Sequence, residues 1–571
     1  MYIATSAAIA LASGAAGAHP SWRNLGSYER QALAEASGGR CLDFEPDPEG
    51  KLIASIRVRN LNVFRRGTTM SWANYLHITS TEQSIRQELT FRVGDRFVWT
   101  NMQQTLRLLR DPFYTSLAVI VPLRSTKPGY VDVLVVTRDR WSLRPNSELE
   151  LQSGKITSLE ALPADNNFLG RRKRLALEII ADQGQYSFGP RYIDPNVLGK
   201  RWRLDTVAAL IFNRTTDAVE GGKMATLLAY PLWTLQRDWG GKLSFDFDSH
   251  VFREFEGEVL RRYVDPVTGS AFPFEYRLRT SNLASEVVRQ FGRTAISRLA
   301  LGYRLGSKRP SVHGAFTGTA DELSRFGDAV LPRSERTSGL YVRYEAFDPT
   351  YIIYRNIDNF DLPEEAQTGP RGSVEVSSSA KVMGATVNFV QISATAGWWI
   401  DFHARAYLDI QATATTRFGG STLEDNGVSG TVKLASAPFW RGNVRVVTRV
   451  ELALRLNDAD NVRFATGGDT GLRGYPVSAY LGRARAVGNL ELRTRPFKVW
   501  FMRAGVLAFW DVGHAAPSFP RLRMHHDVGF GVRVLIPQVS SELFRVDWAF
   551  PFQGTNPGWP GRISAGFEHI F

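Results

Sequence analysis

The stretch FHARAYLDIQATATTRF, residues 402–418, alternates polar and apolar side chains along its length. His403, Arg405, Tyr407, Asp409, Gln411, Thr413, Thr415 and Arg417 fall on one face, and Ala404, Ala406, Leu408, Ile410, Ala412 and Ala414 on the other. A period of two is the signature of a strand with one wet and one greasy side. The pattern recurs over 441–456, where Arg445, Arg449, Glu451 and Arg455 oppose Val444, Val446, Val450, Leu452 and Leu454. It recurs over 485–495, where Asn489, Glu491, Arg493 and Arg495 oppose Ala486, Gly488, Leu490 and Leu492. In a soluble sandwich the apolar face packs on a second sheet. Here the strands are long and the polar face carries charges of both signs, which favours a polar interior with lipid outside. Phe402, Trp500, Trp510 and Trp548 suit aromatic girdles at the two interfaces.

The rest of the composition agrees. The chain has 571 residues, with 50 glycines, 27 prolines and 12% aromatic side chains, a balance of strands and turns. No apolar run approaches the ~18 residues of a spanning helix. The mean hydropathy of −0.19 leaves a barrel open, because its strands alternate. The net charge of +13 is mostly arginine spread along alternating strands, which fits a polar lumen or a lipopolysaccharide-facing rim better than a compact nucleic-acid patch. Cys41 is the one cysteine, so no intramolecular disulfide forms.

Residues 1–18 read as a signal peptide: an apolar stretch from Ala7 ends in Ala16-Gly17-Ala18, although the first arginine is Arg23 and the usual basic start is missing. Residues 19–50 read as a polar linker with a helical turn around 28–36. From 51 to 144 the expected order is strand, helix, helix, strand, strand. Ile56 and Val58 mark the first strand. Thr79 with Glu82 and Thr100 with Gln103 are candidate capping boxes. Leu117, Val119, Val121 and Leu123 share one strand face, and Val131, Val133 and Val135 another, with Lys127-Pro128-Gly129 turning between them. This order resembles a POTRA domain, a periplasmic module whose open edge strand can pair with an extended client.

A second stretch carries more specific information. Gly467, Gly468, Asp469, Thr470, Gly471, Leu472, Arg473, Gly474, Tyr475, Pro476 is too rich in glycine for strand or helix and can fold back on itself. After it, Phe509-Trp510-Asp511-Val512-Gly513 sets an acid in an apolar strand, where it needs a cationic partner. Arg473-Gly474-Tyr475 and the pattern Phe509-x-Asp511-x-Gly513 resemble the Omp85 superfamily of outer-membrane barrels, which includes BamA-like and TamA-like assembly proteins. The resemblance extends through Gly529-x-Gly531-x-Arg533, Pro537, Arg545-x-Asp547 and the terminal Phe571. It implies that the loop folds into the lumen and that Arg473 pairs with Asp511. The last strand, with Ser564, Gly566 and Phe567 and ending on Phe571, resembles a C-terminal assembly signal; Ile563, Ala565, Phe567, His569 and Phe571 would share its outer face.

The expectation is a mainly β chain: a transmembrane antiparallel barrel over 145–571, of about sixteen strands as the resemblance implies and the even-number tendency of bacterial barrels supports, preceded by a small α+β POTRA-like domain over 51–144. The candidate strands outnumber sixteen, so several between 185 and 381 are expected to be loop hairpins or merged strands, with loops at 308–334 and 357–372, the second acidic with Asp361, Glu364 and Glu365. The basic run Arg171-Arg172-Lys173-Arg174 reads as a solvated rim.

No phosphate loop, zincin or nucleophile-elbow motif is present, and His525 with Asp527 offers at most two metal ligands. The expectation is therefore not an enzyme, with no cofactor and no metal. The resemblance implies a protein of the bacterial outer membrane, its POTRA-like domain in the periplasm, that inserts or translocates other proteins. Its partners would be outer-membrane lipids, unfolded outer-membrane or secreted clients and accessory lipoproteins, with no nucleic acid. A two-partner-type secretion transporter or a passive porin-like channel is the alternative.

Overall fold

The computed structural model describes residues 25, 27–567 and 569, except 66, 69–70, 112, 145–146, 153–154, 235–236, 258, 361–363, 421, 459, 501, 537–542 and 554–560. The signal peptide, Asp361, Pro537 and Phe571 lie outside the described residues. Two compact units result, one reaching Trp141 with Leu169–Arg171, the other made of Ser142–Phe168 and Arg172–Phe571.

In the first unit a three-stranded sheet runs Leu52–Leu61, Tyr130–Asp139, Thr115–Arg124 across its width, the first pair parallel and the second antiparallel. Strand alternation gives it two apolar faces. Ile53, Ile56, Val131, Val133 and Val135 pack under the helices Glu82–Arg86 and Trp99–Leu109, through Ile85, Met102, Leu106 and Leu109. On the other face Leu117, Val119, Val121 and Leu123 cover Ala32 and Leu33 of a helix, Ser27–Ala36. Part of the expected linker thus covers a sheet face that would otherwise meet water. The caps also differ. Thr81, not Thr79, accepts from the Ser84 amide, and the second helix starts after Val98 without a side-chain cap.

The second unit is an antiparallel sheet whose pairings return on themselves. Each hairpin pairs along its length; Trp239–Arg253 and Glu275–Phe291, for instance, share fifteen register pairs. Leu143–Arg144 continues into Ser147–Gln152, Lys155–Ala161 into Ala164–Asp165, and Ala484–Thr494 into Phe497–Val499. With those joined, the circuit's twenty-three segments make twenty staves among the described residues. That exceeds the sixteen expected, because the long stretches Trp239–Arg253, Glu275–Phe291, Ile296–Val312 and Glu335–Phe347 all belong to the wall.

Burial is inverted relative to a soluble protein. Asp409, Arg417, Glu491, Arg493, Asp511 and Asp547 are buried, while Ile410, Val450, Leu490, Val506, Phe530 and Ile563 are each about two-fifths to one-half exposed (39%, 47%, 40%, 46%, 50% and 41%). An apolar belt around a charged interior is the arrangement a bilayer favours. We call the end where the first stave begins proximal and the other distal.

Several local expectations shift. The chain turns at His403 and Ala404, both at positive φ, so the stretch 402–418 splits between Phe389–Phe402 and Ala406–Gly419. Within 308–334 the stave Ile296–Val312 takes the first residues, and a helix, Ala320–Val330, sits in the loop that remains. Within 357–372 lie Glu364–Gln367, which pairs with Tyr351–Tyr354, and the start of the stave Gly369–Ser379. Arg172 and Arg174 are buried, not rim residues. Trp510 lies mid-stave in Met502–Ala516 rather than at an end.

Candidate functional site

Four consecutive staves present acids inward: Glu491 from Ala484–Thr494, Asp511 from Met502–Ala516, Asp527 from His525–Leu535 and Asp547 from Phe544–Pro551. Asp511 and Asp527 are direct cross-strand partners. Like charges placed opposite one another repel, and the site supplies donors. They come from the glycine-rich loop, which enters from the distal end between Phe464–Thr466 and Tyr480–Gly482.

Arg473 is 1% exposed and grips Asp511 with two parallel bonds, Nε to Oδ2 at 2.7 Å and Nη2 to Oδ1 at 2.8 Å. Its Nη1 donates to Glu491 Oε1 at 2.7 Å and lies 3.6 Å from Asp547. The guanidinium sits 3.5 Å from the centroid of Phe509. A forked, charge-assisted pair over an aromatic face needs arginine rather than lysine. The Gly474 amide donates to Asp527 Oδ2 at 3.0 Å. A Cβ on Gly474 would stand 2.7 Å from Asp527 Cβ, so a side chain there would hold the loop off the wall. Gly467, at φ 136°, makes the turn that begins the loop and lies so close to the Pro476 carbonyl that a Cβ would be 2.0 Å from it; Gly468 follows, its amide bonded to the Tyr475 carbonyl. Tyr475 is buried, and its hydroxyl donates to the His526 carbonyl at 3.2 Å.

The other sequence-derived residues surround this centre. Gly513 faces Val487 and Thr466. Gly529 gives Phe509 its space and Gly531 gives Asp547 its own, since added Cβ atoms would meet them at 2.3 and 2.0 Å. Arg533 binds Asp547 through Nη1 at 2.7 Å and Nη2 at 3.1 Å, and Arg545 reaches both Asp547 and Asp469 of the loop. Ser564 is buried opposite Asp547, and Gly566 pairs with Arg545. Phe567 ends the last stave. His569 departs from the expected outer face: it turns inward, 4.0 Å from Glu491, with Arg533 Nε 3.4 Å away, because the stave stops before it.

Sequence reading placed Asn489, Glu491 and Arg493 on the wet face without assigning partners. Asn489 Nδ2 donates to Asp511 Oδ1 at 2.8 Å and to the Gly471 carbonyl at 3.0 Å. Arg562 Nη1 holds the Arg473 carbonyl at 2.9 Å. Asp358 was not singled out at all. It sits on a proximal insertion, the hairpin tip between Tyr351–Tyr354 and Glu364–Gln367, where Glu364 accepts from the amides of Ile357, Asp358 and Asn359 at 3.0, 2.9 and 3.1 Å. Asp358 meets Lys433 at 3.1 Å, the Tyr407 hydroxyl at 2.9 Å and Arg493 at 3.2 Å.

Among the described residues no group of three or more His, Cys, Asp or Glu is placed to hold a metal ion. His525 stacks on Tyr480 instead, 4.3 Å between centroids. The site is an ion-pair core.

Structural neighbours of this chain include BamA and CdiB. BamA from Haemophilus ducreyi lacking POTRA domains 1–3 is 13% identical, over 90% of this chain and 84% of that one, with a TM-score of 0.37. CdiB from Escherichia coli is 10% identical over 91% and 77%, at 0.45. Pseudomonas aeruginosa OpdQ is 8% identical over 74% and 93%, at 0.29. No protein-family model and no curated protein matches the sequence.

Proposed function

We propose that the chain inserts or translocates other proteins at the bacterial outer membrane, through a barrel seam and an N-terminal POTRA-like unit that faces the periplasm. The observation that carries this reading is the seam. Ser147–Gln152 and Arg562–Phe567 share two register pairs among the described residues, Glu150 with Ser564 and Leu149 with Ala565. The neighbouring pairings, Ser147–Gln152 with Lys155–Ala161 and Phe544–Pro551 with Arg562–Phe567, each have six. In lipid every unpaired backbone group costs several kcal/mol, so an edge opened at the seam is a strong template for a client strand. Arg473 and the wall acids hold the staves beside the seam in register while it opens. In the POTRA-like unit, Leu52–Leu61 and Thr115–Arg124 are the sheet edges, and an extended client would add to one of them. Clients are unfolded outer-membrane or secreted chains, the surroundings are outer-membrane lipids, and accessory lipoproteins complete the assembly; no covalent chemistry and no cofactor are required.

The test is the folding rate of an unfolded small outer-membrane barrel into liposomes, with and without the full-length protein, beside ion conductance from the same preparation. The expected result is clear acceleration. Steady conductance without acceleration would reject this reading in favour of a pore.

A further inference from the structure

At the proximal end an open-sided cavity of about 240 Å³ lies between the inserted tip and three proximal turns. Five of its lining residues are arginines, Arg355, Arg405, Arg445, Arg493 and Arg495, and none is an acid. Elsewhere inside the barrel arginines sit on carboxylates: Arg253 on Glu220 at 2.6 Å, Arg371 on Asp409 at 2.6 Å, Arg417 on Glu335 at 2.8 Å. Here the balance fails. Arg493 is matched by Glu491 and Asp358. Arg445 is 7% exposed, yet its recorded side-chain bond is Nη1 donating to the Arg405 carbonyl at 3.0 Å, and among the described residues no carboxylate comes within 4.0 Å of it. Arg405 and Arg495, on the turns either side of the turn 436–443, are likewise without a carboxylate within that distance among the described residues.

A buried cation with no carboxylate in contact among the described residues is costly; Glu364 and Asp358 act on Arg445 from beyond 4.0 Å, and the cost falls further when an oxyanion enters. We propose that this cavity is a binding site for a phosphate-type oxyanion, held by Arg445 from the wall and by Arg405 and Arg495 from the turns. The planar forks of guanidinium groups match phosphate oxygens, and a multiply charged oxyanion uses more than one fork. Two sources carry this group: a phospholipid headgroup and free phosphate. The turns that line the cavity bear Phe402, Phe439 and Trp440, 45%, 45% and 76% exposed, the residue types that settle at headgroup depth. The ligand would also pin the inserted tip, since Ile357 and Phe360 line the same cavity.

The test uses the full chain in a sugar-headed detergent free of phosphate. One arm titrates inorganic phosphate by calorimetry. The other adds either phosphatidylglycerol or a galactosyl diacylglycerol and reads retained lipid by native mass spectrometry. The exposed pair Arg405→Gln/Arg495→Gln keeps the fold intact if Arg445→Gln does not, and compact mobility on gels checks both. Saturable phosphate binding, weakened roughly tenfold or more in the exposed pair, supports a site for the free ion. Retention of phosphatidylglycerol over the galactolipid, lost in the same pair, supports a headgroup site. Binding of neither probe, or binding unchanged in the exposed pair and in Arg445→Gln, overturns the proposal.

Discussion

Arg473 and Arg493 hold opposite oxygens of one carboxylate: Arg473 Nη1 reaches Glu491 Oε1 and Arg493 Nε reaches Glu491 Oε2, each at 2.7 Å. The first arginine belongs to the loop that enters distally; the second also binds Asp358 of the proximal insertion. Glu491 therefore joins the two segments that occupy the lumen. Arg473→Ala leaves Asp511 buried without its cation and Glu491 with Arg493 alone, a loss of about 3–5 kcal/mol, and client insertion should fall with it. Arg473→Lys restores charge but not the fork, and recovers only part. Urea unfolding in micelles reads both; an unchanged midpoint in Arg473→Ala would contradict the role given to the pair.

If Glu491 is the joint, Arg473 and Asp358 are coupled although they do not touch. A double-mutant cycle of Arg473→Ala with Asp358→Asn should give a coupling of roughly 0.5 kcal/mol or more, vanishing when repeated in Glu491→Gln. Strict additivity with Glu491 intact would show that the two insertions are independent.

Gly531→Ala places a Cβ 2.0 Å from Asp547 Oδ1, and should cost about 1–3 kcal/mol by displacing the acid that Arg533 holds. Gly427, on another stave, has nothing within 4 Å of an added Cβ and serves as the control. Equal unfolding midpoints for the two alanine variants would count against this packing.

How much of this was legible in the sequence depends on the range of the interaction. Arg473 and Asp511 stand out locally, a lone cation in a glycine-rich loop and a lone acid in an apolar strand. Glu491 does not, because one charge on a wet face looks like the next, and only the register across Ala484–Thr494 and Met502–Ala516 brings it under the loop. Asp358 was hidden for a different reason: its hairpin strands have four residues each, too short for alternation to distinguish them from a loop. The candidate strands outnumber sixteen in the sequence, but alternation alone does not separate a wall stave from a loop hairpin, and the stretches between 239 and 347 prove to be wall. Thr79 and Thr81 both precede the same short helix, and the capping-box spacing from Thr79 to Glu82 does not reveal that Thr81 makes the cap.

The distal helix Ala320–Val330 is fastened by carboxylates that acid will release. The Arg325 Nε bond, 2.8 Å long, holds Asp265 down at about 2 from an ordinary 3.8; hydrogen bonds led by the Thr268 hydroxyl hold Glu322 at about 2 from 4.5. Both folded values are depressed, so their contribution is complete above the ordinary values and is lost as pH falls through about 2. Pepsin cleavage within 313–334 should be slow near pH 4 and fast below about 2. Arg325→Gln should move the change to higher pH. Cleavage equally fast at both pH values would contradict this fastening.

The central claim is that clients are templated at the seam. Leu149 and Ala565 are register partners there, and residues directly opposite on paired strands bring their Cβ atoms within about 4.5–5.5 Å, close enough for a modest adjustment to join cysteines. The decisive measurement is the client folding rate in liposomes for Leu149→Cys/Ala565→Cys, oxidised and then reduced. The account predicts that acceleration disappears in the oxidised form and returns on reduction. Equal acceleration in both states would show that the seam does not open for clients.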